Sequence, residues 1–140
     1  MAVSPTLEQQ LCFALYSASR AMTARYRPLL DELGLTYPQY LVLLALYERD
    51  GRTVKELGEE LRLDSGTLSP LLKRMAAAGL LRRTRSADDE RSVVVELTDE
   101  GAALRGRVAE VPGGLFRDTD VTVAEIADLR ARLQDFLARI

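Results

Sequence analysis

Apolar residues recur every three or four positions along most of the chain, the spacing that places them on one face of an α-helix. Six segments show this pattern, at residues 11–33, 37–48, 53–61, 65–78, 98–111 and 122–140. Gly34 and Gly79 follow the first and fourth segments, at the position where many helices end in a left-handed glycine. The stretch Pro112-Gly113-Gly114 is expected to break the fifth helix.

Two short segments favour β structure instead. Leu81–Thr84 and Val93–Leu97 are rich in strand-forming residues and flank the polar stretch Arg85–Ser92, which predicts a hairpin with a long charged tip. The predicted element order is therefore α-α-α-α-β-β-α-α. A chain of 140 residues fits one hydrophobic core, so the expected fold is mainly α with a small β-hairpin.

Three helix starts carry a capping box, in which a Ser or Thr and a Glu or Gln three residues later each bond a backbone N–H that the helix leaves unpaired. The pairs are Thr6 with Gln9, Thr53 with Glu56, and Thr122 with Glu125. Thr98 is a weaker start signal, because the residues after it are acidic but the box position holds no Glu. We expect helices to begin at these four places.

Composition excludes several classes of site. The chain has no histidine and one cysteine, Cys12, so a triad hydrolase, a zinc site of the usual kind and an intramolecular disulfide are not expected. No cofactor or metal is predicted. Apolar stretches fall far short of the about 20 residues that span a bilayer, and Leu11–Leu15 lacks the flanks of a signal peptide. A cytoplasmic protein with no membrane partner is expected.

The third and fourth helices, joined by a tight connection and followed at once by the hairpin, match a winged helix-turn-helix. In that motif the second helix enters the major groove of DNA and the hairpin, the wing, lies beside it. Residues 52–91 hold nine Lys and Arg against seven Asp and Glu, whereas the rest of the chain holds ten against fourteen. This local excess of positive charge favours double-stranded DNA as a partner.

The candidate DNA-contacting residues are the hydroxyl and basic side chains of the fourth helix and the wing. They are Ser65, Thr67, Ser69, Lys73, Arg74, Arg83, Arg85 and Arg91. Any one of these charges could equally be an ordinary solvated side chain, but their clustering favours a binding surface. The acidic tip, residues 88–90, would repel phosphate, so its carboxylates are expected to hold Arg91 and the wing in shape.

Several segments resemble the MarR family of transcription regulators, and three of them its OhrR branch, the organic hydroperoxide resistance repressors. The wing segment Asp88–Ser92 and the segment Val95–Gly101 resemble the family at large. The three segments that resemble the branch are Leu11–Tyr16, Leu35–Tyr40 and Leu63–Pro70. The similarity runs from about Leu7 to Val111.

The resemblance implies a homodimer that binds a pseudo-palindromic DNA operator. Residues 1–34 and 98–140 would form a helical dimerisation region, and residues 35–97 the winged helix-turn-helix, within one continuous structural unit. In the OhrR branch, organic hydroperoxide oxidises a cysteine near the N-terminus, a small cellular thiol can join the reaction, and the repressor leaves its operator.

Cys12 matches the sensor cysteine of that branch, and Tyr26 and Tyr37 match the two tyrosines that contact it. The chain lacks the second, resolving cysteine of one subtype, so it resembles the one-cysteine subtype. From the residues alone, Cys12 would instead be a buried structural cysteine between Leu11 and Leu15.

The spacing of Cys12 and Tyr26 adds a constraint. They are 14 residues apart on one predicted helix, which separates them by about 21 Å at 1.5 Å per residue. If that helix is continuous, any contact between them must join two subunits.

Other functions stay open at this stage. The chain could be a MarR-type regulator that responds to a bound small ligand, such as a phenol, with Cys12 a bystander. A thiol peroxidase is a weaker alternative, because that function leaves the DNA-binding motif unexplained. A dimerisation module that binds no DNA is weaker for the same reason. An enzyme is not expected.

Overall fold

The computed structural model describes residues 6–89 and 91–140. After a short 3₁₀ turn at Leu7–Gln9, the elements are α1 (Leu11–Asp31), α2 (Tyr37–Glu48), β1 (Arg52–Thr53), α3 (Val54–Leu61), α4 (Ser65–Ala77), β2 (Leu81–Arg85), β3 (Val93–Leu97), α5 (Asp99–Ala103), α6 (Arg105–Leu115) and α7 (Val123–Arg139). The predicted fold class, mainly helical with a β-hairpin that forms a wing, is confirmed.

The sheet has a third strand that the sequence did not predict. The order is β1-β3-β2, all antiparallel, and β1 pairs Arg52 with Val95. The Arg52 side chain is buried, and it forms ion pairs with Glu60 and with Glu48. The structure therefore adds a strand between the second and third helices to the predicted element order. The sequence did not reveal this strand, because two residues are too few to show the alternating pattern of a strand.

The core lies where α2, α3 and α4 meet the base of the sheet. Leu43, Leu57, Leu68, Leu72 and Met75 are among the completely buried side chains. Burying a side chain of this size contributes about 1.5–3 kcal/mol. The orientation of α4 is therefore fixed by its inner face, which leaves its outer face free for another role.

A glycine allows the tight turn between α3 and α4. A Cβ atom on Gly58 would lie 2.9 Å from the carbonyl oxygen of Leu63, closer than real Cβ contacts. The Gly58 carbonyl accepts a backbone hydrogen bond from Leu63 at 2.9 Å, and Arg62 adopts a left-handed conformation with φ 57°. The helix-turn-helix connection is therefore as short as the sequence indicated.

Most of the predicted helix starts are correct. Capping boxes form at Thr53 and Thr122, and the Thr98 side chain accepts a hydrogen bond from the Gly101 N–H. The predicted box at Thr6 is wrong, because that side chain makes no capping hydrogen bond and α1 begins only at Leu11. A further box, which the sequence analysis did not identify, links Thr36 and Gln39 at the start of α2.

The expected break at Pro112 is also wrong. Helix α6 continues through Pro112 as far as Leu115, and the predicted fifth helix instead divides at Leu104. The inner face of α6, which includes Val108 and Val111, is buried against α1. This packing outweighs the one backbone hydrogen bond that a proline removes.

The first half of α1 and the whole of α7 lie outside this core. Every residue of segment 11–20 is exposed, and α7 has no buried residue. Apolar side chains there remain accessible, with Leu11 at 55% and Leu129 at 59%. In the described residues, no helix combines the length and the apolarity needed to cross a bilayer.

Candidate nucleic-acid interface and cysteine site

The outer face of α4 begins with a strong helix cap. Asp64 accepts a hydrogen bond from the Thr67 N–H at 2.7 Å, and its hydrogen bonds to Thr67 lower the pKa of the Asp64 carboxyl. Ser65, Thr67 and Ser69 are exposed, whereas Leu68 between them is completely buried. The structure therefore presents the three predicted hydroxyl residues on the solvent side of the helix.

The basic residues of α4 are exposed as well. Lys73 lies one turn after Ser69 and two turns after Ser65, on the same side of the helix. Arg74 is in the last turn, where a positive charge also stabilises the helix through its dipole. Arg74 thus has a structural role that needs no DNA, whereas Lys73 extends the polar side of α4.

The register of the wing decides which of its arginines faces α4. Arg83 lies directly opposite the buried Val95, and Arg82 lies opposite the exposed Glu96. Residues opposite one another in an antiparallel pair point to the same face. Arg83 therefore lies on the inner face of the wing, and Arg85, opposite Val93, lies on the same face.

A cleft of about 320 Å³ lies between α3, α4 and the wing. Its lining includes the cationic residues Lys55, Arg83 and Arg91, together with Ser69 and Ser92. Across the described part of the chain, no carboxylate lies within ion-pair distance of these three cations. The cleft therefore brings together three cations that have no ion-pair partner among the described residues, and such a group is suited to an anionic partner such as the DNA backbone.

Lys55 was missed in the sequence analysis. Its position could have identified it as a DNA-contacting residue. Lys55 lies two residues after the capping residue Thr53, at the start of α3, and the first helix of a helix-turn-helix crosses the DNA backbone. The sequence analysis assigned DNA contacts only to α4, the second helix of the helix-turn-helix, and to the wing. The fold brings the start of α3 to the same cleft.

The wing tip is shaped by Asp89. Its carboxylate accepts hydrogen bonds from the backbone N–H of Arg91 at 2.9 Å and from the Ser92 hydroxyl at 3.4 Å. The Ser86 backbone N–H donates a hydrogen bond to the Ser92 carbonyl at 2.8 Å, which continues the pairing of the hairpin. The predicted structural role of the acidic tip holds for Asp89, and Glu90 lies outside the described residues.

Cys12 lies in the first turn of α1 and is exposed. Its neighbours Leu11, Phe13, Leu15 and Tyr16 are also exposed. The expectation drawn from the residues alone, that Cys12 is a buried structural cysteine, is therefore wrong for a single chain. An accessible thiol within an uncovered apolar surface is instead available for reaction or for an interface.

Helix α1 is continuous from Leu11 to Asp31. The rise of the helix therefore separates Cys12 from Tyr26 of the same chain by about 21 Å. Tyr26 and Tyr37 do come together, with ring centroids 4.8 Å apart. The structure thus assembles the two predicted tyrosines but leaves the predicted cysteine away from Tyr26.

A third tyrosine completes this group. Tyr40 is only 3% exposed, and its ring centroid lies 5.6 Å from that of Tyr26 and 6.0 Å from that of Tyr37. Burial, followed by the neighbouring tyrosines, raises the pKa of Tyr26 to about 12, and burial also raises the pKa of Tyr37 and of Tyr40. All three phenols therefore keep their protons at neutral pH and remain hydrogen-bond donors.

Comparison with known proteins gives a consistent picture. The family described as transcriptional regulator SarA/Rot matches residues 24–106. Over 131 residues the chain is 50% identical to an organic hydroperoxide resistance transcriptional regulator of Bacillus subtilis (strain 168), covering 94% of this chain and 89% of that protein.

Two solved structures of AbfR, a Staphylococcus epidermidis protein, are similar to the chain and 34% identical to it. Reduced AbfR bound to DNA superposes with a TM-score of 0.82, covering 95% of this chain and 93% of AbfR. The disulfide form superposes with a TM-score of 0.69, covering 94% and 92%. Overoxidised AbfR bound to DNA superposes with a TM-score of 0.80, so the arrangement of this chain is nearer to the DNA-bound forms of AbfR than to its disulfide form.

Proposed function

The chain belongs to the MarR-type transcription regulators, in the branch of the organic hydroperoxide resistance regulators, and on this premise we propose that it is a repressor that releases its DNA operator when organic hydroperoxide oxidises Cys12. The observation that carries the proposal is that Cys12, the one cysteine of the chain, is exposed. The chain that contains it is 50% identical to an organic hydroperoxide resistance transcriptional regulator. The relatives are transcription regulators rather than enzymes.

The reaction consumes one hydroperoxide for each cysteine. The Cys12 thiolate attacks the outer oxygen of the peroxide, so that an S–O bond forms and the O–O bond breaks. Sulfur loses two electrons to become a sulfenic acid, and the alkoxide takes a proton from water and leaves as an alcohol. A small cellular thiol can then displace the sulfenic hydroxyl as water and form a mixed disulfide. Because the chain has no second cysteine, it offers no intramolecular partner.

The proposal includes a homodimer. Residues 1–34 and 98–140 form the dimerisation region, because the apolar side chains of the first half of α1 and of α7 are uncovered in a single chain. Residues 35–97 bind DNA. A partner subunit then supplies the tyrosines that Cys12 cannot reach in its own chain. Two recognition helices related by a two-fold axis fit half-sites about 34–36 Å apart. Sedimentation that shows a monomer bound to a single half-site would contradict this assembly.

The DNA-binding surface consists of the outer face of α4, the wing and the start of α3. The residues we assign to it are Ser65, Thr67, Ser69, Lys73, Arg74, Arg83, Arg85 and Arg91, with the addition of Lys55. The exposure of these side chains, and the gathering of Lys55, Arg83 and Arg91 in one cleft, support this assignment. The hydroxyls near the start of α4 are suited to base edges or phosphates, and the arginines to phosphates.

Oxidation acts on the spacing of the two half-sites. A sulfenic acid or a mixed disulfide is larger and more polar than a thiol, and burying it in a packed interface is costly unless that interface rearranges. A shift of the two α4 helices by a few ångströms spoils their simultaneous fit to one operator. The chain superposes less well on disulfide-formed AbfR than on the DNA-bound forms, whether reduced or overoxidised, which supports a rearrangement that accompanies disulfide formation.

The test compares wild type with Cys12→Ser in an operator gel shift, before and after cumene hydroperoxide, with and without a small thiol. A hydroxyl is close in size to a thiol, so the variant is expected to fold, dimerise and bind the operator, yet to stay bound after peroxide. Intact mass should show one modification per wild-type chain. Release of Cys12→Ser by peroxide would refute the proposal, and repeated turnover of peroxide would indicate a peroxidase.

A second outcome separates the alternative regulator. If cumene hydroperoxide leaves the mass and the DNA complex unchanged while a phenolic ligand releases the DNA, the chain responds to a bound small molecule. Cys12 is then a bystander.

A further inference from the structure

The helical segment that follows the wing is interrupted at Leu104. Helix α5 ends at Ala103 and α6 begins at Arg105. In a continuous helix each carbonyl accepts the backbone N–H four residues later. At this break the Gly101 carbonyl lies 3.4 Å from the Leu104 N–H, and it also accepts a hydrogen bond from the Tyr47 hydroxyl at 2.7 Å. A side chain from α2 is therefore inserted among the backbone hydrogen bonds of the segment, which is one of the usual causes of a bend in a helix.

The two sides of this break are attached to different parts of the fold. Helix α5 is fixed to the base of the wing, because the Thr98 hydroxyl donates to the Gly79 carbonyl and the Thr98 N–H donates to the Leu80 carbonyl at 3.2 Å. Helix α6 packs along α1, where the Arg25 side chain donates to the Leu115 carbonyl at 2.9 Å. A rotation at the break would therefore move the winged helix-turn-helix relative to the α1–α6 pair.

Tyr47 contacts both sides of the break. Its hydroxyl bonds Gly101 of α5, and the guanidinium of Arg105, the first residue of α6, lies over its ring, 5.7 Å from the centroid. Burial raises the pKa of Tyr47 and the Arg105 charge offsets part of that rise, so the phenol keeps its proton at neutral pH and remains a donor. Gly101 itself is tightly packed, because a Cβ atom there would lie 2.0 Å from the Leu80 carbonyl oxygen.

We propose that Tyr47 is a positioning residue of the DNA-binding dimer, which holds the break at Leu104 in one geometry and so determines the half-site spacing that the two α4 helices accept. The inference rests on the proposed function, because it needs a dimer on a two-fold related operator, but it does not need the oxidation of Cys12. Tyr47 lies outside the DNA-binding surface assigned above. The dimer carries this contact twice, so a small rotation at each break changes the separation of the two α4 helices.

The hydroxyl of Tyr47 is the part of the side chain that can make the spacing selective. Wild type can bind half-sites at another spacing only if a rotation at the break lengthens the bond from Tyr47 to Gly101. A phenylalanine at position 47 keeps the ring beneath Arg105 but has no such bond to lose. One neutral hydrogen bond corresponds to about a fivefold change in an equilibrium constant. Loss of the hydroxyl should therefore weaken the spacing preference by about that factor.

The experiment uses a duplex that the reduced, full-length wild type selects from a random-sequence pool, and the same duplex lengthened or shortened by one base pair at its centre. Fluorescence anisotropy gives the ratio of the affinity for the selected duplex to that for each altered duplex. This ratio is expected to exceed one for wild type and to be about fivefold smaller for Tyr47→Phe. Equal ratios in the two proteins, or a wild type that binds all three duplexes equally, would overturn the proposal.

The chain offers a matched control on the same helix. Val42 is completely buried and lies five residues before Tyr47, which places it on another side of α2. Val42→Ala is expected to lower the melting temperature, because it leaves a cavity in the core, and to keep the spacing ratio of wild type. An equal fall of the ratio in Val42→Ala would overturn the proposal, since it would reflect a general loss of stability.

A substitution at the surface covers a Tyr47→Phe protein that does not fold. Arg105 is exposed, so Arg105→Met is expected to leave the fold intact while it removes the charge over the Tyr47 ring. The spacing ratio should then fall about twofold, the size of an exposed contact between a cation and an aromatic ring. If Tyr47→Phe does not fold, an unchanged ratio in Arg105→Met overturns the proposal.

Failure of this inference and failure of the proposed function are distinguishable. A Tyr47→Phe dimer that binds the selected duplex and keeps the full spacing preference overturns the inference alone. A monomer on a single half-site, or release of Cys12→Ser from the duplex by cumene hydroperoxide, overturns the proposed function instead.

Discussion

The cleft between α3, α4 and the wing allows a quantitative prediction for Arg83→Ala and Arg91→Ala. Each arginine lines the cleft, and across residues 6–89 and 91–140 neither forms an ion pair. Each phosphate contact contributes about 0.9 to the slope of log affinity against log salt. A dimer presents each arginine twice, so each substitution should make the slope shallower by about 1.8, and the double variant by about 3.6.

The assay is fluorescence anisotropy of a labelled operator duplex at several salt concentrations. Because the slopes differ, the affinity deficit of a single variant should shrink about tenfold between roughly 50 and 200 mM salt. Arg132→Ala is the control, since Arg132 on α7 is exposed and pairs with Asp128 at 3.0 Å. Its slope should equal that of wild type.

Two results would refute this reasoning. A loss of affinity with an unchanged salt slope would mean that Arg83 and Arg91 hold the wing in shape and do not contact phosphate. An equal change of slope in Arg132→Ala would mean that net charge, and not the cleft, governs binding.

Three further predictions concern stability and assembly. A Cβ atom on Gly101 would lie 2.0 Å from the Leu80 carbonyl oxygen, so Gly101→Ala should destabilise the fold by about 1–3 kcal/mol and lower the melting temperature by several degrees. A Cβ atom on Gly106 meets nothing within 4 Å, so Gly106→Ala should leave the melting temperature unchanged. Equal melting curves for the two variants would refute this prediction. Because folding lowers the pKa of Asp64, its capping contribution is present above the ordinary value of 3.8 and is lost as pH falls through the folded pKa. The melting temperature of wild type should therefore exceed that of Asp64→Ala at pH 7 and approach it at pH 3, and an advantage that persists in acid would contradict the charged cap. Leu129→Glu places a charge on the exposed apolar surface of α7 and should shift sedimentation toward the monomer, whereas an unchanged dimer would exclude α7 from the interface.

The elements that could be predicted from the sequence are those with local signals. Helical periodicity and caps such as Thr53 and Thr122 lie within a few residues of the structures they specify, so α3 and α7 begin within one residue of the predicted position. The helix-turn-helix and the wing were predictable for the same reason. Cys12 was a candidate from resemblance alone, because a single cysteine in an apolar helix has no local signal for reactivity.

Other features depend on residues far apart in the chain and became visible only in the folded protein. Strand β1 exists because β3 offers a partner, and α6 continues through Pro112 because α1 covers its inner face. Lys55 joins Arg83 and Arg91 in one cleft, although 28 and 36 residues separate it from them in the sequence. Such contacts depend on how the helices pack, and packing is a property of the whole core that no single segment encodes.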